Sequence, residues 1–194
     1  MIFRRNQNRI PVQTPHWLVA WGDIVDVPSM WEEDQFAIVT AQAWIISKCD
    51  RFVITGDIWL SNRPDLALNS DESDLEIFAR LWTKGALNSL DLLQGMFGLV
   101  IYDRQLEQLI IVRDPIGGRT IYYTAGKTRW IAPQLHSLNP YRSNQLDPIA
   151  LRDYLTCSFV PGERTMWQDV REIRPGTALK IPGEISPIGS YKSR

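Results

Sequence analysis

Apolar positions in this chain fall first at strand spacing, then at helix spacing, then at strand spacing again. Up to about residue 62 they form short blocks rich in Val, Ile and Trp: His16 to Gly22, Gln35 to Thr40 and Arg51 to Ile58. Blocks of that length and composition predict strands. Pro28 and the Gly56-Asp57 pair punctuate them. Trp17, Trp21, Trp44 and Trp59 lie in or beside these blocks, where such large rings are expected to join the core. From Ser73 the spacing becomes helical. Leu75, Phe78, Ala79 and Trp82 recur at three- and four-residue steps and make one apolar face. Ser73-Asp74-Leu75-Glu76 has the form of a capping box, and Asp71, Glu72 and Asp74 set negative charge near the helix start. Lys84-Gly85 ends this helix, and Leu87, Leu90, Leu92 and Leu93 predict a second, short one before Gly95.

Met96 to Asp103 is almost continuously apolar, as in a strand covered on both faces. Asp103-Arg104-Gln105 turns the chain, and Gln108 to Arg113 returns it as a hairpin. Asp114 to Gly118 is a second turn, followed by strands at Thr120 to Tyr123 and Thr128 to Ala132. Four short strands in meander order predict one substantial antiparallel sheet. Asp147-Pro148 supplies an N-cap and a proline at the first helical position, with Leu151 and Leu155 on one face of the helix that follows. Turns at Val160-Pro161-Gly162 and Arg174-Pro175-Gly176 precede a strand at Ala178 to Ile181. Strands grouped with a few outer helices predict a layered α+β domain over residues 1–182. A flexible tail rich in Gly, Pro and Ser is expected over 183–194.

Composition narrows the function classes. The 194 residues are 44% hydrophobic and 22% charged, as in a folded domain. Basic and acidic residues balance to a formal charge of −1, which makes no electrostatic case for nucleic acid or an acidic membrane. Arg4, Arg5 and Arg9 are the local basic excess and read as a solvated tail. Cys49 and Cys157, like His16 and His136, lack neighbours at metal-ligand spacing, so no metal or other cofactor is expected. No apolar run reaches the roughly 18 residues of a spanning helix, and the start lacks a signal peptide's apolar stretch. A cytoplasmic protein without membrane insertion is expected.

Five segments carry a resemblance. Leu93 to Arg104, L-Q-G-M-F-G-L-V-I-Y-D-R, resembles the L-x-G-M-F-A-F-x-x-x-D strand of class II glutamine amidotransferase domains in the asparagine synthetase branch. Ile110 to Tyr123 resembles that branch's A-R-D-x-x-G-x-K-P-L-Y-Y, and Ser73 to Glu76 its S-D-x-E helix start. Asp147 to Pro161 is similar to its D-x-x-A-L-x-x-Y-L-x-x-x-x-x-P, and Thr165 to Leu179 to its closing T-x-x-x-x-I-x-x-L-x-P-G. The resemblance implies the four-layer αββα sandwich of N-terminal-nucleophile hydrolases, with two mainly antiparallel sheets.

It also implies a chemistry. In the family, a cysteine at the mature N-terminus attacks the glutamine side-chain amide, with its own α-amine as base. Here Ile2 follows the initiator methionine and no cysteine precedes Cys49. The family's N-G-E-I-Y-N-H oxyanion segment corresponds to Ile54 to Leu66, so Thr55 stands for the asparagine donor, Gly56 is retained and Asp57 replaces the glutamate. Asp74 resembles the aspartate that holds the substrate amine. The arginine clamp for the substrate carboxylate has no match between Trp21 and Lys48. Arg113, Asp114 and Gly117 look like scaffold residues: an ion pair ordering the hairpin and a glycine at a special backbone angle.

The expectation is therefore a pseudoenzyme, not an enzyme: a structural or assembly subunit working through protein–protein contacts. Trp17, Trp21, Trp31 and Trp59 are candidates for the contact surface. The ligase loop S-G-G-x-D-S of the branch is not in this sequence, though β-lactam synthetases and lasso-peptide cyclases resemble the arrangement of an inactive domain joined to such a ligase. The alternatives are a separately encoded or truncated N-terminal domain of an asparagine synthetase-like ATP-dependent ligase, with a separate ATP-pyrophosphatase subunit as partner, and a small-molecule binding module. The last would use Thr55, Gly56, Asp57 and Asp74.

Overall fold

A computed structural model describes residues 17–24, 29, 31–33, 35–39, 46–182 and 185–187. Arg4, Arg5, Arg9, His16, Pro28, Trp44 and the tail residues 183–184 and 188–194, on which the sequence raises expectations, lie outside the described residues. Among the described residues the backbone builds two six-stranded sheets in which every pairing is antiparallel. The longer-stranded sheet holds β4 (Ile46–Lys48), β5 (Phe52–Leu60), β6 (Gly95–Asp103), β7 (Gln108–Arg113), β11 (Thr177–Ile181) and β12 (Ile185–Pro187). The other holds β1 (Leu18–Trp21), β2 (Trp31–Glu33), β3 (Phe36–Val39), β8 (Tyr122–Thr124), β9 (Arg129–Ala132) and β10 (Val170–Glu172).

The two faces of β5 and β6 define the layers. Phe52, Ile54, Phe97, Leu99 and Ile101 pack under α2 (Asp74–Gly85), while Val53, Val100 and Tyr102 meet Trp17, Val19, Phe36 and Ile38 of the other sheet. This double cover explains the unbroken apolar run of β6. α2 starts with the expected capping box: Ser73 accepts from the Glu76 N–H, and the Glu76 carboxylate accepts from the Ser73 N–H. It buries Leu75, Ile77, Phe78, Ala79 and Trp82 on the sheet. Each large side chain of that set contributes about 1.5–3 kcal/mol through burial. The expected second, short helix is present at Ala86–Leu92 as a 3-10 helix. On the far side, Leu138 of a 3-10 turn at Leu135–Leu138 packs with Leu18, Ala132 and Val170. The chain is an α+β sandwich, as its pattern predicts.

Two expectations are corrected by the tertiary arrangement. The four central strands do not form one meander: β6 and β7 lie in one sheet, β8 and β9 in the other. The Asp114–Gly118 turn carries the crossover, because the Asp114 carboxylate takes backbone N–H groups that would otherwise extend a ladder. Trp59 is 51% exposed, not core. Alternation places it on the same face of β5 as Val53, Thr55 and Asp57. Val53 and Thr55 are fully buried there, so the second sheet covers that face only as far as Thr55. Beyond it the sandwich opens.

α3 (Pro148–Cys157) is capped by Asp147, whose carboxylate accepts from the Ile149 and Ala150 N–H groups. Ala150 is its one buried residue, and Leu155 is 76% exposed. No helix among the described residues is long and apolar enough to cross a membrane.

Candidate functional site

Where the sandwich opens lies a cleft of about 310 Å³. Three segments distant in sequence meet there: Trp17 before β1, the end of β5 with Asp57 beside Gly98 of β6, and the turn 118–120, with Pro133 and Gln134 closing one side. Register explains the meeting, since Asp57 and Gly98 are direct cross-strand partners.

Two glycines make the floor. A Cβ at Gly98 would lie 3.0 Å from Ile121 Cγ1 and 3.3 Å from Arg119 Cβ, and one at Gly118 would lie 2.4 Å from Met96 Sδ. The missing side chain at Gly98 lets Ile121 and the Arg119 stem pack against β6, and the one at Gly118 makes way for Met96. On the rim, Arg119 Nε lies 2.7 Å from Asp57 Oδ2, with the two side chains 35% and 50% exposed. Arg119 Nε is buried and makes no hydrogen bond, so this contact is an ion pair without directional alignment. An exposed pair of this kind contributes about 0–1 kcal/mol to stability. Among the described residues, four further side-chain polar groups are buried without a hydrogen-bond partner: the indole N–H of Trp17, which lines the cleft, Thr55 Oγ1 on the same strand face as Asp57, and Trp82 Nε1 and Ser137 Oγ, neither of which lines the cleft.

A buried hydrogen-bond system holds the rim. Asp114 is fully buried, and its carboxylate accepts from the Phe97, Gly118 and Arg119 N–H groups. Arg113 pairs with Glu172 at 2.7 Å and donates to the carbonyls of Arg119, Ile173 and Gly117. The expected Arg113–Asp114 ion pair is thus replaced by separate partners: Arg113 ends β7 and reaches Glu172, while Asp114 begins the turn and takes its backbone N–H groups. Gly117 has the expected positive φ, +76°. Beside this system, burial first and then the Glu172 charge push the Tyr122 hydroxyl pKa up.

The residues nominated from sequence separate. Asp57 lines the cleft. Thr55 lies buried on the same strand face, and Gly56 between them has φ +140°. Asp74 sits elsewhere, accepting from the Leu60 N–H and from Arg63 Nη1, both at 2.8 Å. It ties the end of β5 to the start of α2. Sequence reasoning missed Arg119 as a site residue and read Asp114 to Gly118, just before it, only as a turn. A cation placed directly after two glycines between strands was the available signal. Cys49 exchanges contacts with the Phe52 backbone and lies 3.8 Å from Thr83 Oγ1, while Cys157 is exposed at the end of α3. Neither lines the cleft. Among the described residues no cluster of His, Cys, Asp and Glu is arranged to hold a metal ion.

Comparisons with known proteins agree with this architecture. The family described as a glutamine amidotransferase domain matches residues 58–191, more than two-thirds of the chain. The glutamine-hydrolysing asparagine synthetase 1 of Bacillus subtilis is 28% identical over 112 residues, 57% of this chain and 18% of that protein. The nodule asparagine synthetase of Pisum sativum is 33% identical over 70 residues, 35% of this chain and 12% of that protein. An amidase of Gibberella zeae is 28% identical over 55% of this chain and 16% of its own length. The chain therefore spans under a fifth of these relatives. Among solved structures, the glutamine phosphoribosylpyrophosphate amidotransferase of B. subtilis superposes with a TM-score of 0.56 at 15% identity, over 91% of this chain and 44% of that one. That likeness concerns the fold. The sequence relatives are enzymes, and this overturns the expectation that the chain is not one.

Proposed function

The chain belongs to the glutamine amidotransferase domain family, and we propose that it is the glutamine-binding part of an asparagine synthetase-like, ATP-dependent amide-forming enzyme. The reaction class is the release of the amide nitrogen of glutamine for amide synthesis on a second substrate. The observation that carries this reading is the Asp57–Arg119 pair on the rim of a glycine-floored cleft, at the point where the two sheets part. One anion and one cation beside a small cavity suit an amino acid. The unpartnered indole N–H of Trp17, which lines the cleft, is a donor of the kind an amide end needs. The described lining contributes a hydroxyl, Thr120, which donates to the Pro133 carbonyl. The part of these residues is to bind and orient the amide donor.

Titration calorimetry of the purified chain with L-glutamine tests this. Saturable binding with a Kd between about 10 μM and a few mM is expected, the range of an ordinary substrate site. L-lysine, which ends in a cation, should bind at least tenfold more weakly. Heat no larger than dilution up to 20 mM glutamine overturns the reading.

A second reading concerns assembly. α3 leaves Ile149, Tyr154 and Leu155 exposed, and Phe159 follows at 60% exposure. Such a face supports docking on another subunit, in this scheme a separate ATP-pyrophosphatase chain. The native mass of the untagged protein drawn from its own cell extract tests it. A companion bearing an S-G-G-x-D-S loop supports the split enzyme, and migration alone near 22.3 kDa opposes it.

A further inference from the structure

Helix α3 stands off the body of the protein. Of its 10 residues only Ala150 is buried, whereas α2 buries Leu75, Ile77, Phe78, Ala79 and Trp82. What α3 turns outward is apolar. Ile149, Tyr154 and Leu155 are 41%, 50% and 76% exposed, and Phe159, just past the Ser158 cap, is 60% exposed. Leu151 and Leu155 lie one turn apart and make the ridge of this face. At about 200 Å² for each whole side chain of this size, the four exposed residues leave about 450 Å² of mainly apolar surface. Monomers rarely leave a contiguous patch much larger than that uncovered. The helix carries one cation and one anion, Arg152 and Asp153, and they pair with each other at 2.7 Å. A face without net charge meets its own copy without repulsion.

We propose that α3 docks against α3 of a second copy of this chain, antiparallel about a two-fold axis at the level of Asp153. In a two-fold contact residue i meets j and j meets i. With the axis at that level, Leu151 meets the partner's Leu155 at both ends, and Arg152 lies against the partner's Tyr154, a cation over a ring. A parallel arrangement sets Arg152 against its own copy and brings like helix ends together, which charge disfavours. Two such faces bring together about 900 Å² of apolar surface, and the rim residues Arg152 and Thr156 raise the contact to the roughly 1,000 Å² that a specific interface needs. An area at that lower limit gives a reversible dimer, with a Kd of about 1–100 μM. The pairing does not depend on what the cleft binds. One face holds one occupant, so a ligase subunit would have to displace the copy.

Sedimentation equilibrium of the purified full chain, from about 1 to 200 μM, tests this. The mean mass is expected to rise from 22.3 kDa toward twice that value. L151E and L155K each set a charge against a leucine of the copy, and each alone should weaken the dimer at least about tenfold. Both should melt near the parent at about 1 μM, where every chain is single. Mixed in equal amounts, they should associate about as well as the parent, because the mixed pair meets Glu with Lys at one end and Leu with Leu at the other. Damage to the fold predicts no such recovery. A constant 22.3 kDa across the range, a dimer that neither variant weakens, or two variants that stay apart on mixing overturns the proposal. So does a purified chain that stays single and runs larger only in cell extract, since the face then belongs to a different protein.

Discussion

Replacing Gly56 with alanine tests the packing that opens the cleft. Gly56 has φ +140°, a conformation that L side chains rarely adopt. An added Cβ would lie 2.3 Å from the Gly98 carbonyl oxygen and 2.8 Å from Leu99 Cα. Both obstacles are backbone of β6, a central strand paired on both sides, so neither can swing away as a side chain would. Leaving the strained φ in place costs about 1–3 kcal/mol. Parting β5 from β6 to admit a methyl costs about another 1–3 kcal/mol, as for an overpacked core. G56A should therefore lose about 4 kcal/mol, read by urea unfolding followed by circular dichroism. At about 2–4 °C per kcal/mol for a chain this long, the midpoint of thermal unfolding should fall by about 8–16 °C. G85A is the control. Its Cβ would meet Ser89 Cβ at 3.5 Å, an ordinary contact at the end of α2. Its stability should change by less than about 1 kcal/mol, with a gain as the more natural sign. A loss below 1 kcal/mol for G56A, or equal losses for both variants, refutes the reasoning.

The Asp114→Asn substitution sets an amide where three backbone N–H groups need an acceptor, and should cost about 2–3 kcal/mol in urea unfolding. It should also weaken L-glutamine binding, since the Arg119 N–H is one of the three. The double variant L155S/F159S removes apolar groups 76% and 60% exposed, so the isolated chain should keep its stability within about 0.5 kcal/mol while any complex through α3 weakens. Stability should form a plateau in pH. Hydrogen bonds from Arg80 and the Leu68 N–H hold the Glu72 pKa below 4.5, and Ser73 does the same for Glu76, so their contribution is present above about pH 4.5 and lost as pH falls. Burial holds the hydroxyls of Tyr122, Tyr123 and Tyr141 above 10, so stability declines as pH rises beyond about 10. Melting temperatures across pH 3–11 check this, and a maximum outside the plateau would contradict it.

Local rules made much of the fold legible. The capping box at Ser73, the Asp147 cap before Pro148 and the positive φ at Gly117 each follow from a few adjacent residues. Strand alternation sends the two tyrosines to opposite sides: Tyr123 packs between the sheets, and Tyr122 on the outer side. Asp57 was legible through the resemblance of Ile54 to Leu66 to the family's oxyanion segment, whereas the Gly56-Asp57 pair, read as punctuation, lies inside the unbroken β5. Asp74 was legible as a helix-start carboxylate, and the structure places it against Arg63, away from the cleft.

What the sequence by itself determined is set by neighbours along the chain: strand and helix periods, caps, turns and the apolar run of β6. Period-two alternation says which side chains share a face, but not which sheet lies over that face. The partition of β6 to β9 between two sheets, the exposure of Trp59 and the meeting of Asp57 with Arg119 were therefore decided by tertiary structure alone. Those two residues are 62 positions apart in sequence. They come together because the β5–β6 register sets Asp57 beside Gly98, and because Asp114 and Arg113 hold the crossover turn so that Arg119 lies across the same glycine. No local pattern encodes that coincidence, since it needs two sheets, one register and one buried carboxylate at once.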